Sequence, residues 1–307
     1  MTPLHADELR IDEDLVAQLV ADQLPQLAGD VRRLPSTGSS NALFLLGEEL
    51  LVRVPRQPGG SETILKEARW LPHLGRSLPV AVPEVVASGH PSGSYPEHWS
   101  VVRRLDGEHP VAGAASLSQE RLARDVAAVV RSLRDLEVPA EATHDPALRW
   151  YRAESLVGID ADIKSFAEQC RSLTGLRLDV DAVLATWDGA VAAARGASLS
   201  VHWLHGDLLA ENLLVQDGRL TAVLDFGGLS VGDPTVDLAV AWELFDEGAR
   251  DAFRSTLDVD DRTWLVARGW ALAIAVMTFP YYWTTMPARC AARLAMVQRV
   301  LRDAGRG

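Results

Sequence analysis

The sequence predicts an α+β fold in two lobes, a small antiparallel sheet lobe followed by a larger, mostly helical lobe. Three observations predict it. Five short runs of strand type and a single helix pattern fall within residues 31–105. From Ser118 onward, apolar residues recur at helical spacing. That helical part is interrupted by one hairpin pattern, Leu213-Leu214-Val215-Gln216 and Leu220-Thr221-Ala222-Val223-Leu224 around the turn Asp217-Gly218. At 307 residues and 48% hydrophobic, the chain can bury a large core and divide in two, with lobes expected at 1–104 and 105–307.

Each element has its own justification. Leu15, Leu19, Val20 and Leu24 stand at helical spacing, so residues 12–24 form an opening amphipathic helix. Val31-Arg32-Arg33-Leu34, Ala42-Leu43-Phe44-Leu45-Leu46 and Leu50-Leu51-Val52-Arg53-Val54 read as strands, the last two separated by Gly47-Glu48-Glu49. Residues 61–74 read as a helix with Ser61 as N-cap and Pro72 near its end. Its apolar face is expected to be Ile64, Leu65, Ala68 and Leu71, with Lys66 facing solvent. Residues 83–88 and 99–105 supply two more strands, and the turn chemistry of Leu105-Asp106-Gly107-Glu108 places the connection between lobes at 102–107. Helices are expected at 118–136, 155–170, 181–194, 235–245, 262–279 and 288–301. Asp233-Pro234 should cap and start the fourth of these, with Asp237 in its first turn or hydrogen-bonded to the loop that precedes the hairpin. Glu243, Asp246 and Glu247 at its far end read as a solvated face or the lining of an acidic cleft. The apolar run 269–283 reads as a buried helix too short to cross a bilayer. Within it, Pro280-Tyr281-Tyr282-Trp283 should break the helix and expose rings at a pocket rim, whereas most of the other aromatic residues of this third, such as Trp242, Trp264 and Trp270, should be core.

The chemistry concentrates in His205-Gly206-Asp207-Leu208-Leu209-Ala210-Glu211-Asn212 and, after the hairpin, Asp225-Phe226-Gly227. An Asp five residues before an Asn, then a second Asp opening a D-F-G triplet, is the order in which phosphoryl-transfer loops present a base and two metal ligands. Asp207 would accept or orient a hydroxyl proton, and Asn212 and Asp225 would bind Mg²⁺. His202 and His205 could instead suggest a metal hydrolase, but the other six histidines lie in unrelated segments, so a buried structural His205 is preferred.

With Gly232-Asp233-Pro234-Thr235-Val236-Asp237-Leu238-Ala239 following, the segment 205–242 resembles the aminoglycoside phosphotransferase family, including its macrolide-kinase relatives. The resemblance implies a protein-kinase-like two-lobe fold with ATP or GTP and Mg²⁺. It implies transfer of the γ-phosphoryl group to a hydroxyl of a small molecule, an antibiotic such as an aminoglycoside or macrolide. A sugar, amino alcohol or other metabolite is an alternative acceptor, and a nucleotide-binding pseudokinase regulating a partner is an alternative role. The resemblance also assigns the nucleotide's contacts. Ser39, Ser40 and Asn41, in Thr37-Gly38-Ser39-Ser40-Asn41, lie where a phosphate-covering loop belongs. Arg53 stands where kinases keep a phosphate-binding lysine, the chain's two lysines being Lys66 and Lys164, and Glu67 would be its ion-pair partner. Backbone groups near Arg103 and Arg104 would meet the adenine.

Composition sets outer limits. Forty-two carboxylates against thirty Lys plus Arg give −12, of which residues 1–106 carry −4 and the remainder −8. A nucleic-acid partner is disfavoured and a cationic small acceptor is compatible. Cys170 and Cys290 do not make a disulfide framework and fit a reducing cytoplasm. Met1-Thr2-Pro3-Leu4-His5-Ala6-Asp7-Glu8 has neither a basic nor an apolar leader pattern, so neither secretion nor a membrane partner is expected.

Overall fold

The computed structural model describes residues 5, 7–35, 38–114, 118–196 and 200–305. It divides into two compact units, 1–107 with 221–228, and 108–220 with 229–307. The segment carrying Asp225-Phe226-Gly227 therefore packs with the first unit, although it lies far along the chain.

The first unit opens with α1 (Glu13–Gln23), whose N-cap Asp12 accepts from Leu15 N at 2.9 Å. Strands β1 (Val31–Arg33), β2 (Asn41–Leu46), β3 (Leu50–Pro55), β4 (Val85–Gly89) and β5 (Trp99–Arg103) form one antiparallel sheet in the order β1-β2-β3-β5-β4. The pleat sends Val52 and Val54 into a core with Phe44, Val101, Trp99, Val16 and Leu19. Arg53 turns to the opposite face, where α2 (Ser61–Leu74) supplies Glu67. Gly89 pairs with Trp99 across β4 and β5, and a Cβ there would lie 1.9 Å from the indole, so only glycine fits.

Two details of α2 differ from the sequence reading. Ser61 is the first helical residue rather than the N-cap; the orphan N–H groups of Gly59 and Ser61 are taken by the Glu97 carboxylate at 2.9 and 2.8 Å. Lys66 is buried rather than solvent-facing, and Leu65 is 47% exposed rather than core. The reason is angular: Lys66, Trp70 and Leu74 recur every four residues and share the buried stripe, which leaves Leu65 outside it.

The second unit is mostly helical: α3 (Gln119–Asp135), α4 (Ala140–His144), α5 (Asp160–Cys170), α6 (Val180–Ala194), α7 (Val240–Leu244), α8 (Glu247–Leu257), α9 (Asp261–Tyr282) and α10 (Pro287–Ala304). β6 (His202–Leu204) pairs with β9 (Ser230–Gly232), a ribbon that the sequence pattern did not announce. β7 (Leu213–Gln216) and β8 (Arg219–Val223) form the expected hairpin, with Asp217 and Gly218 at φ 51° and 74°, the left-handed conformation that such a two-residue turn requires. Asp233 does cap, and Pro234 does open, the next helix, which begins as a 3₁₀ segment (Pro234–Ala239) before α7.

Helix α9 is long and apolar enough to cross a membrane by length and composition, contrary to the length expectation, yet 67% of that apolar window is buried in the protein. Pro280 does not break it. A proline there has no N–H for the Val276 carbonyl, and the Cys170 thiol lies 4.0 Å from that oxygen instead. Trp242, Trp264, Trp270 and Phe279 are core, as expected, and Tyr281 is 57% exposed.

Candidate functional site

The expected site residues fall into two sets, one in each unit. In the first, Arg53 is buried and grips Glu67 with both terminal nitrogens: Nη1 bonds Oε2, and Nη2 lies 3.2 Å from Oε1. Nη2 is also 3.5 Å from Asp225 Oδ1. Burial alone would make the guanidinium easier to deprotonate, but Glu67 and Asp225 outweigh it and hold Arg53 above its ordinary value. The pair expected from sequence is therefore formed, and it is bidentate.

Asp225 is 40% exposed at its side chain and has φ 54°, a conformation uncommon outside glycine and asparagine or aspartate. Gly227 N donates to its Oδ1 at 3.2 Å, and a Cβ on Gly227 would sit 3.0 Å from the same oxygen. The strand leading to Asp225 is held by Ala81, whose N–H donates to the Thr221 carbonyl (2.9 Å) and whose carbonyl accepts from Val223 N (3.0 Å).

In the loop before β2, the Ser39 carbonyl is 2.9 Å from His5 Nε2 and the Ser40 carbonyl accepts from Arg56 N at 2.9 Å, while Asn41 is a buried residue opening the strand. Thr37 lies outside the described residues. The N–H groups of Arg103 and Arg104 are bonded to the carbonyls of Glu84 (3.0 Å) and Glu49 (2.8 Å). Their side chains pair with the exposed Glu84 and Asp106.

In the second unit, the loop between β6 and β7 carries Asp207 and Asn212. Two buried oxygens of Asp237 hold its start, accepting from His205 N (2.7 Å) and Gly206 N (2.8 Å). His205 is fully buried and its Nδ1 accepts from Asp207 N at 3.2 Å, so its role is structural. His202 Nδ1 meets the Arg134 carbonyl at 2.7 Å, and among the described residues no His, Cys, Asp and Glu group could hold a metal in the manner of a hydrolase.

Asn212 Nδ2 donates to the Asp207 carbonyl at 2.8 Å and lies 3.3 Å from Asp207 Oδ2, which ties the two residues into one turn and leaves Oδ1 as the other end of the amide. The loop's far half is held by Glu243, which accepts from Ala210 N at 2.6 Å and pairs with Arg293. Glu243 is thus buried behind the loop, neither a solvated face nor a cleft lining, because Arg293 from α10 neutralises it there. Asp246 caps α8.

Arg152, which no motif announced, completes this set. Its Nη1 donates to Asp207 Oδ1 at 2.5 Å and to the Gly206 carbonyl at 3.1 Å, Nε donates to Tyr151 Oη, and its guanidinium lies 4.5 Å from the Trp150 ring centre. Burial would push the Asp207 carboxyl up, but the neighbouring charges and hydrogen bonds, Arg152 first and then Arg293, together hold it below the usual carboxylate range. Glu211, Arg289 and Arg293 form a further cluster, with Glu211 3.0 Å from Arg289 Nη2 and 3.3 Å from Arg293 Nη2. The only hint of Arg152 in the sequence is a basic residue directly after two aromatic ones in a stretch without periodicity.

The sequence model of the APH phosphotransferase enzyme family matches residues 30–270, and the chain belongs to that family. It is accordingly a phosphotransferase with an alcohol group as acceptor. Solved structures of similar fold include the GDP complex of a mutant aminoglycoside 2'-phosphotransferase-IIIa, with TM-score 0.73 and 19% identity over 96% of this chain and 98% of that one. The ternary complex of streptomycin, ATP and APH(2'')-IIa gives 0.63 and 16%, covering 94% and 99%. The macrolide 2'-phosphotransferase of Brachybacterium faecium gives 0.61 and 22%, covering 93% and 98%. A search of curated protein sequences finds no match.

Proposed function

We propose that the chain transfers the γ-phosphoryl group of ATP or GTP to a hydroxyl of a small molecule, with an antibiotic as the acceptor class that the similar proteins support. The observation that carries the reading is the loop 205–212. In this reading an ionised Asp207, pinned through its carbonyl to Asn212 on a loop backed by Asp237 and Glu243, would accept or orient a hydroxyl proton.

Each of Asn212 and Asp225 has the donor chemistry that Mg²⁺, a hard cation preferring oxygen ligands, would take: the Asn212 amide has its nitrogen committed, so Oδ1 is the end available, and Asp225 presents a partly exposed carboxylate. When bound there, the metal would neutralise phosphate charge. Arg53, kept charged by Glu67, would grip a phosphate oxygen, and Ser39, Ser40 and Asn41 would lie along the phosphates. Because phosphoryl transfer has a loose transition state, positioning and cations matter more in this reading than base strength. Two buried free cysteines fit a cytoplasmic setting. The test is acceptor-dependent formation of ADP or GDP by purified protein with Mg²⁺ across aminoglycosides, macrolides and neutral metabolites. Nucleotide turnover that no hydroxyl compound stimulates would overturn the reading.

A further inference from the structure

We propose that the acceptor site beside Asp207 is closed to polycations, and that its acceptor is a neutral or singly charged hydroxyl compound. The inference rests on the reading above and narrows it. A polyamine needs carboxylates whose charge is not already taken. Among the described residues, Asp207, Glu211, Asp237 and Glu243 are the four seen bonded on or against the loop 205–212, and each is occupied. Asp237 is spent on two backbone N–H groups, and Glu243 on Ala210 N and Arg293. Asp207 holds Arg152. Glu211, 27% exposed at its side chain and the one of these apart from Asp207 that a ligand can reach, is clamped between Arg289 and Arg293.

The clamping cations are themselves seated. Arg152 lies over Trp150, and Arg289 lies 5.4 Å from the centre of the Tyr282 ring. A flexible ammonium would have to displace a planar guanidinium that is both stacked and hydrogen-bonded. Four carboxylates against three arginines leave one negative charge, which suits a neutral or singly charged acceptor. The −8 carried by residues 107–307 does not by itself make a polycation site here. Arg289 is the specificity-determining residue in this arrangement, because removing it leaves Glu211 with only Arg293, 3.3 Å away and shared with Glu243.

Kanamycin is the probe, titrated calorimetrically into protein with ADP and Mg²⁺, so that no phosphoryl transfer is needed and failure of the transferase reading is scored separately. Wild type should bind with a Kd above about 1 mM, and Arg289→Gln at least about tenfold more tightly. Glu211→Gln added to that variant should cancel the gain, and Arg289→Lys should show none. Arg289→Ala repeats the test if the melting temperature of Arg289→Gln shows a damaged fold. Micromolar binding by wild type, or no gain in a folded Arg289 variant, overturns the proposal.

Discussion

Single side chains carry the sharpest tests. Asp207→Asn should keep nucleotide affinity and lower turnover by at least about a hundredfold, the scale of a positioned acid-base group; steady-state kinetics on folded variant checks it, and near-normal turnover would remove Asp207 from the chemistry. Asp225→Ala should abolish Mg²⁺-dependent nucleotide binding, whereas Asn212→Ala should weaken it less, since a neutral amide attracts a cation less than a carboxylate does. Calorimetry with and without Mg²⁺ separates the two. Arg53→Ala should raise the nucleotide KM, and Arg53→Lys should rescue it incompletely, because one ammonium cannot reproduce the two-pronged grip on Glu67. Asp207, Asn212 and Asp225 can be singled out in sequence because their spacing is local. Arg152 is not, since nothing in sequence links it to a partner 55 residues later, and Arg289 and Arg293 reach Glu211 from a helix about 80 residues further on.

Whole elements show why some of the fold could be read and some could not. The five strands of the first sheet announce themselves through apolar runs between turn residues, and α3 through a continuous apolar stripe of Leu122, Val126, Val129, Val130 and Leu133. Helix α8 carries no legible pattern because only Ala249, Phe253 and Leu257 of its apolar residues are buried, one every turn, amid charged neighbours. The three-residue strands β6 and β9 owe their form to each other across 25 intervening residues and carry no pattern of their own. The start of α2 depends on Glu97 in the same non-local way. Burial would raise that carboxyl, yet the Ser61 hydroxyl and the Gly59 and Ser61 amides hold it below the usual range. Its folded value thus lies below its unfolded one, so its contribution to stability is present above about pH 4.3 and disappears as pH falls through the folded value. Glu97→Gln should cost about 1–2 kcal/mol at neutral pH in urea unfolding, and the cost should shrink under acid. A cost that is flat with pH would assign the effect to shape rather than charge. Gly269 gives a packing test within α9: a Cβ there would meet Ala190 Cβ at 2.6 Å and Leu156 Cδ1 at 2.7 Å, so Gly269→Ala should destabilise by about 1–3 kcal/mol despite alanine's better helix propensity.

At the scale of the molecule, binding should appear as stability. ADP with Mg²⁺ at a hundred times its Kd should add about 2.7 kcal/mol to the wild type and nothing to Asp225→Ala, read as a shift in melting temperature. A matching shift in the variant would place the nucleotide elsewhere. Asp303 has a consequence of a more practical kind. This one carboxylate, near the end of α10, receives Arg268 at 2.9 Å, Arg250 at 3.7 Å and the Trp242 indole N–H at 3.2 Å. Removing this carboxylate would leave the largely buried Arg268 guanidinium and the Trp242 indole without that acceptor, and Arg250 with the Phe245 carbonyl at 3.2 Å. Asp303→Ala should therefore lower the melting temperature sharply and lose activity through aggregation; an unchanged melting temperature would show that the three donors find other acceptors.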